Sequence, residues 1–209
     1  MKQNPLIICF ILDETRSMDA IKSETIEGFN EYVETLKNDE ASRSALFALT
    51  KFNSDKIELV YDGIPLGNVE PLSDENYHPV AITPLYDAIG KTINALKIKN
   101  ETSSVLVVIQ TDGQENASKE FTKKMVRDII AERQEFGWTF SFLGADIDAY
   151  TAASAIGISQ GNTASYTGAK SLAAFRKAAR AATGYAATGG TQTDSFFDDQ
   201  KDESPKKAA

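Results

Sequence analysis

Cysteine and histidine are almost absent from this chain, which has one of each among 209 residues. The single cysteine, Cys9, cannot form an internal disulfide, and its position in an apolar run predicts a buried thiol in a reducing, intracellular setting. The single histidine, His78, excludes a zinc site built from several histidines. Disulfide-stapled secreted domains and histidine-rich metal centres are therefore not expected.

Long apolar runs and an excess of positive charge are also missing. No stretch approaches the roughly 20 apolar residues that span a bilayer, and residues 1–4 lead into a short apolar run without the features of a signal peptide. Lys and Arg number 22 against 30 Asp and Glu, a net charge of −8, and the basic residues form no clear stripe. We therefore expect a cytoplasmic protein with neither a nucleic acid nor a membrane as its partner.

Two apolar runs without alternation, at 6–12 and 105–109, predict adjacent central parallel strands buried on both faces. Residues 51–55 resemble a hairpin turn, so the strand that follows is predicted to be an antiparallel edge strand. The remaining strands are predicted at residues 45–52, 57–61, 138–143 and 163–166.

Apolar residues spaced by three and four predict helices between these strands, the clearest around Ile26–Leu36 and Leu85–Leu96. Three more helices are predicted at 121–136, 148–156 and 169–183. Strands that alternate with helices indicate an α/β fold, doubly wound and Rossmann-like, with a mostly parallel sheet and helices on both faces. The predicted domain covers residues 1–183, and residues 184–209 are predicted to be a flexible acidic tail.

Oxygen-bearing side chains follow both central strands, where doubly wound sheets bind their ligands. Asp13, Thr15 and Ser17 come at alternate positions after the first strand, and Asp112 follows the second. Thr83 adds a hydroxyl just before a predicted helix. Two carboxylates and three hydroxyls suit a hard cation such as Mg²⁺, and they would leave a coordination position open.

The segments Asp13–Ser17, Thr83–Ala88 and Thr111–Gly113 resemble, in order and spacing, the three parts of the metal-ion-dependent adhesion site of von Willebrand factor A domains. The resemblance covers about residues 5–180. One departure is Thr15, which stands where the Asp-x-Ser-x-Ser pattern has its first serine, and which keeps the hydroxyl.

This resemblance implies a role for each residue of the site. Thr15 and Ser17 would be direct ligands of Mg²⁺, Mn²⁺ or Ca²⁺, while Asp13 and Asp112 would lie close and act through water. Thr83 would be the ligand whose engagement is coupled to the last helix in members that change shape. A partner's acidic residue would complete the coordination. Beside the site, Glu14 and Arg16 are predicted to face solvent or partner, and Glu115 either joins this rim or caps a helix.

The favoured function is a non-catalytic, divalent-metal-dependent protein-binding module. One alternative is an assembly protein that self-associates, possibly through the acidic tail around Phe196 and Phe197. Another is a Mg²⁺-dependent phosphohydrolase of the haloacid-dehalogenase kind, which would need an Asp where Thr15 stands. Compact intracellular members of the family in bacteria and phages suggest a MoxR-type ATPase as one class of partner.

Overall fold

The computed structural model describes residues 5–96, 104–167 and 170–197. Six strands and five α-helices alternate along these residues, with short 3₁₀ turns between some of them. They are β1 (Ile7–Asp13), α1 (Lys22–Asn38), β2 (Leu46–Phe52), β3 (Ile57–Pro65), α2 (Leu85–Ala95), β4 (Val105–Thr111), α3 (Lys123–Glu135), β5 (Thr139–Ala145), α4 (Ala149–Ala155), β6 (Thr163–Tyr166) and α5 (Ser171–Ala187).

The strands form one sheet in the order β3-β2-β1-β4-β5-β6. All neighbours are parallel except β2 and β3, so β3 is the antiparallel edge strand. The predicted fold class and the adjacency of the two central strands are confirmed. Leu12 pairs with Gln110, and this register brings Asp13 and Thr111 to the same edge of the sheet.

Helices cover both faces of the sheet, so its two central strands are buried along their whole length. All seven residues of β1 and of β4 are buried. Ile8 and Phe10 pack in the cluster that includes residues of α1 and α5, whereas Ile7 and Cys9 pack in the cluster that includes residues of α2 and α3. Cys9 is completely buried, and burial raises its thiol pKa to about 12.

Several predicted boundaries differ from the observed ones. The edge strand β3 continues to Pro65, four residues beyond its predicted end, with irregular pairing to β2. The predicted helix at 121–136 begins at Lys123, since the Thr122 side chain accepts a hydrogen bond from the Met125 amide and caps it. Asp148 caps α4 in the same way.

The prediction of a flexible tail from Gly184 is wrong for residues 184–197. Helix α5 continues to Ala187, and the chain then folds back to bury Phe196 and Phe197, which are 4% and 3% exposed. The Phe196 amide donates to Asn162 Oδ1 (2.8 Å), and the Phe197 amide donates to the Gly161 carbonyl (2.8 Å). Burial of two large rings offsets the entropy of ordering this segment. The rest of the predicted tail, residues 198–209, lies outside the described residues.

Among the helices of the described residues, none combines the length and the apolar character needed to cross a membrane.

Candidate metal site

The five predicted metal-binding residues lie together at the carboxyl edge of the sheet. Asp13 ends β1, and the turn that follows it carries Thr15 and Ser17. Asp112 directly follows β4, which lies beside β1, and Thr83 lies two residues before the start of α2. The sheet places the ends of β1 and β4 side by side, and the loop before α2 brings Thr83 to the same point.

Short oxygen–oxygen distances connect the side chains of this site. Thr15 Oγ1 lies 3.2 Å from Ser17 Oγ and 3.4 Å from Thr83 Oγ1, and Ser17 Oγ donates to Asp112 Oδ1 at 2.7 Å. Adjacent ligands of an octahedral Mg²⁺ with bonds near 2.1 Å are about 3 Å apart. The three hydroxyls and the Asp112 carboxylate therefore have the spacing of neighbouring ligands of a small hard cation.

The donor set argues for a hard cation rather than zinc. Over residues 5–96, 104–167 and 170–197, no group of three or more His, Cys, Asp and Glu side chains could hold a metal ion. Two carboxylates with three hydroxyls suit Mg²⁺, Mn²⁺ or Ca²⁺, which accept neutral oxygens and water. Thr15 and Thr83 are buried while Ser17 is exposed, so the site is a recess open to solvent on one side.

Asp13 is completely buried beneath the hydroxyls. One carboxylate oxygen accepts from the Thr15 amide (2.8 Å), the other accepts from the Thr111 hydroxyl, and Tyr77 donates its hydroxyl to the Asp13 carbonyl (2.6 Å). Burial raises the Asp13 pKa to about 7, although the hydrogen bonds from Thr111 and Thr15 act in the opposite direction. A divalent cation nearby would favour the ionised carboxylate.

Asp146 belongs to the same acidic edge and is not among the residues predicted from the sequence. Burial raises the pKa of Asp112, the hydrogen bond from Ser17 lowers it, and the negative charge of Asp146 raises it again. Asp146 follows β5, the strand next to β4, and has a positive φ of 52°. The rule that led to Asp13 and Asp112, a polar residue just after a parallel strand, also applies to Asp146.

Thr83 is held in place by the loop after β4. The Thr83 amide donates to Asn116 Oδ1 (2.9 Å), and the Asn116 amide donates to the Thr83 carbonyl (3.0 Å). Gly113 permits this close approach, since a Cβ atom at that position would lie 2.6 Å from Thr83 Oγ1. The glycine after Asp112 therefore makes room for a metal-site hydroxyl.

Gly113→Ala is expected to weaken Mg²⁺ binding about tenfold, because the new methyl group displaces Thr83 Oγ1 from the other hydroxyls. Calorimetric titration with Mg²⁺ measures the effect. Gly67→Ala is the matched control, since a Cβ there meets nothing within 4 Å. Equal Mg²⁺ affinity in the two variants would show that the position of Thr83 does not matter for the metal.

The three predicted rim residues have different environments. Glu14 Oε1 accepts from Lys51 Nζ (3.1 Å) and from the His78 amide (2.7 Å), and its side chain is only 13% exposed. Glu14 therefore braces the loop around His78 and does not form a rim, because Lys51 draws its carboxylate inward. Arg16 is exposed beside the site, and its contact with a partner stays a prediction.

Glu115 caps a helix, one of the two roles left open for it. Its Oε2 accepts from the Tyr86 amide at the start of α2 (2.9 Å), and its Oε1 accepts from the amides of Ala117 and Ser118. These bonds hold the loop after β4 against the first turn of α2. Glu115 thereby helps to position Thr83, two residues before that turn begins.

Known proteins resemble this chain in structure but not in sequence. No family model matches it, and no curated protein does. A von Willebrand factor type A protein from Catenulispora acidiphila aligns with a TM-score of 0.58 and 15% identity over 87% of this chain and 43% of its own. The chain thus spans less than half the length of that protein.

Two further structures are similar over more of their own length. The vWF domain of the type V pili tip protein Mfa5 from Porphyromonas gingivalis has a TM-score of 0.64 and 10% identity over 86% of this chain and 95% of its own. Manganese-loaded TRAP protein from Plasmodium vivax has a TM-score of 0.55 and 12% identity over 82% and 72%. At such identities the likeness shows the fold alone, and this chain has the von Willebrand factor A fold.

Proposed function

We propose that this protein is a non-catalytic binding module that captures a partner protein through a divalent cation. Thr15, Ser17 and Thr83 would hold the cation with their hydroxyls, and Asp13 and Asp112 would supply its negative charge, directly or through water. An acidic side chain of the partner would complete the coordination of the cation at an open position. One observation carries the proposal: the three hydroxyls and the Asp112 carboxylate converge in a solvent-open recess with the spacing of metal ligands.

The similar structures support the same assignment. TRAP protein has a related fold and was solved loaded with manganese, a cation that accepts the same oxygen ligands as Mg²⁺. Mfa5 is the tip protein of a pilus. Because neighbours of this fold include such surface proteins, the cytoplasmic location of this chain stays a prediction.

Phosphohydrolase activity has little support from the site. The residue two positions after Asp13 is Thr15, whose hydroxyl lies within the hydroxyl cluster and cannot serve as a carboxylic general acid. The full chain supplied with Mg²⁺ is therefore expected not to hydrolyse p-nitrophenyl phosphate above the rate of the Ser17→Ala variant.

Self-association through the aromatic pair also has little support. Phe196 and Phe197 are buried within their own domain, so they are not available to dock on a neighbour. A MoxR-type ATPase remains one partner class that the family resemblance suggests. The proposed mechanism is the same for a MoxR-type ATPase and for a second copy of this chain, because either partner would present an acidic residue to the cation.

Selection from a phage-displayed library of random peptides tests the proposal. The full chain is immobilised in Mg²⁺, washed, and eluted with EDTA, with the Ser17→Ala variant treated in parallel. We expect EDTA to release peptides that share an Asp or Glu, and the variant to retain at least about tenfold fewer, since it lacks one metal ligand. Peptides that survive EDTA, or that share no acidic residue, would contradict the proposed function.

A further inference from the structure

Two large apolar side chains stand exposed beside the candidate metal site. Val80 is 42% exposed and Ile82 is 53% exposed, and Ile82 directly precedes Thr83. The described residues contain five exposed large apolar side chains, and the other three are Met125, Phe136 and Tyr150. Two of the five therefore lie in the loop between β3 and α2, which carries a metal-site hydroxyl. We call residues 80–82 the apolar ledge.

Each residue of the apolar ledge forms a backbone hydrogen bond with another segment of the chain. The Val80 amide donates to the Glu14 carbonyl (3.0 Å), the Ala81 carbonyl accepts from the Arg16 amide (3.2 Å), and the Ile82 carbonyl accepts from the Ser54 amide (2.9 Å). These bonds attach the ledge to the first metal-binding loop on one side and to the β2–β3 turn on the other. They fix the position of the backbone that carries the two apolar side chains.

Ala81 has a φ of 62°, in the left-handed region that residues with a Cβ rarely adopt. Backbone strain of this kind persists only where the surrounding structure enforces it, and it is concentrated at functional sites. The strained residue lies between the two exposed apolar side chains of Val80 and Ile82.

The surroundings of the ledge suit an acidic, partly apolar chain segment. Arg16 is exposed, and its amide donates to the Ala81 carbonyl, so a residue with a positively charged side chain adjoins the ledge. Ile82 also lines an open cleft of about 640 Å³ with Pro84, Asn116 and residues of the β2–β3 turn. This cleft gives a bound segment room to continue beyond the metal.

We infer that the apolar ledge selects the partner: the ledge binds a peptide segment in which a large aliphatic or aromatic residue lies within two positions of the metal-binding carboxylate. Consecutive Cα atoms are about 3.8 Å apart, so a side chain next to Thr83 is within reach of a residue close to the partner's acid. This inference rests on the proposed function, since the carboxylate fixes the register of the segment.

The test uses the same random-peptide library on three full-length proteins in Mg²⁺ with EDTA elution. They are the wild type, the Val80→Ser, Ile82→Ser variant, and a control variant, Met125→Ser, Phe136→Ser, which removes two equally exposed apolar side chains. Calorimetry confirms that each protein binds Mg²⁺, and thermal unfolding confirms that each is folded. One wild-type-selected peptide is then synthesised and its affinity measured for all three.

We expect wild-type peptides to be enriched in Ile, Leu, Val, Phe or Met within two positions of a shared Asp or Glu. The ledge variant should lose this enrichment while still selecting the acid, and should bind the synthetic peptide about tenfold or more weakly. The control variant should behave as the wild type.

The possible failures are distinct. If the peptides selected on the wild type share an acidic residue but show no preference for an apolar one, the inference about the ledge is overturned and the proposed function stands. The absence of any EDTA-released acidic peptide would overturn the proposed function together with the ledge. If the ledge variant does not fold, the inference is tested by the wild-type-selected peptides alone: their apolar enrichment near the acid supports it, and the absence of that enrichment overturns it.

Discussion

Replacing both Asp13 and Asp112 with alanine is expected to abolish saturable Mg²⁺ binding. The two carboxylates are the charged members of the site, and Asp112 accepts the hydrogen bond that orients the Ser17 hydroxyl (2.7 Å). Loss of a partner outside the ligand shell already lowers metal affinity by about 10- to 100-fold, so losing both carboxylates should exceed a hundredfold. Calorimetric titration of the EDTA-treated proteins measures this change.

The matched control removes two carboxylates elsewhere. Asp74 and Asp128 are 86% and 60% exposed and form surface ion pairs, so Asp74→Ala, Asp128→Ala changes the net charge equally without touching the site. This control should bind Mg²⁺ as the wild type does. Asp112→Asn, which keeps the shape of the side chain, separates loss of charge from loss of fold. Wild-type affinity in the double variant at 13 and 112 would place the cation somewhere else.

Phe196→Ala should lower the free energy of unfolding by about 3–5 kcal/mol, the usual cost of removing a buried phenylalanine. The ring is 4% exposed and packs edge-on against Tyr185 and Phe197, with centroids 6.4 and 4.9 Å away. In a domain of this size each kcal/mol lowers the melting temperature by about 2–4 °C, so a drop near 10 °C is expected. Differential scanning calorimetry measures the change.

Phe136→Ala provides the comparison for this experiment. That ring is 53% exposed at the end of α3, and surface replacements of this kind change stability by no more than about 0.5 kcal/mol. If Phe196→Ala were as stable as Phe136→Ala, the segment after α5 would contribute nothing to the domain, as the prediction of a flexible tail held.

The tail was mispredicted because its ordering depends on tertiary contacts. Residues 184–197 contain only three large aromatic side chains, Tyr185, Phe196 and Phe197, too few by composition to order a segment of this length. The contacts that hold it come from Asn162, whose side chain donates to the Thr193 carbonyl (2.7 Å) and accepts from the Phe196 amide. No local pattern around Phe196 identifies a partner 34 residues away.

The metal site was easier to predict than its rim. Asp13 and Asp112 follow buried apolar strands, and two such strands can end side by side only at one edge of a parallel sheet. The direction in which a side chain points after the strand has ended does not follow from this rule. Glu14 stands between two predicted ligands in the sequence, yet Lys51 on β2 pulls its carboxylate into the protein. Which side chain Glu14 would meet depends on how the loop containing His78 packs.

The most direct test of a cation at this site is the paramagnetic effect of Mn²⁺ on the amide NMR spectrum of the full-length protein. Substoichiometric Mn²⁺ should broaden the amide signals of residues 13–17, 83–84 and 111–113, and excess Mg²⁺ should restore them. This outcome would show one hard-cation site made of the three predicted segments. Broadening centred elsewhere, or none at all, would contradict the metal-dependent mechanism even though the fold would stand.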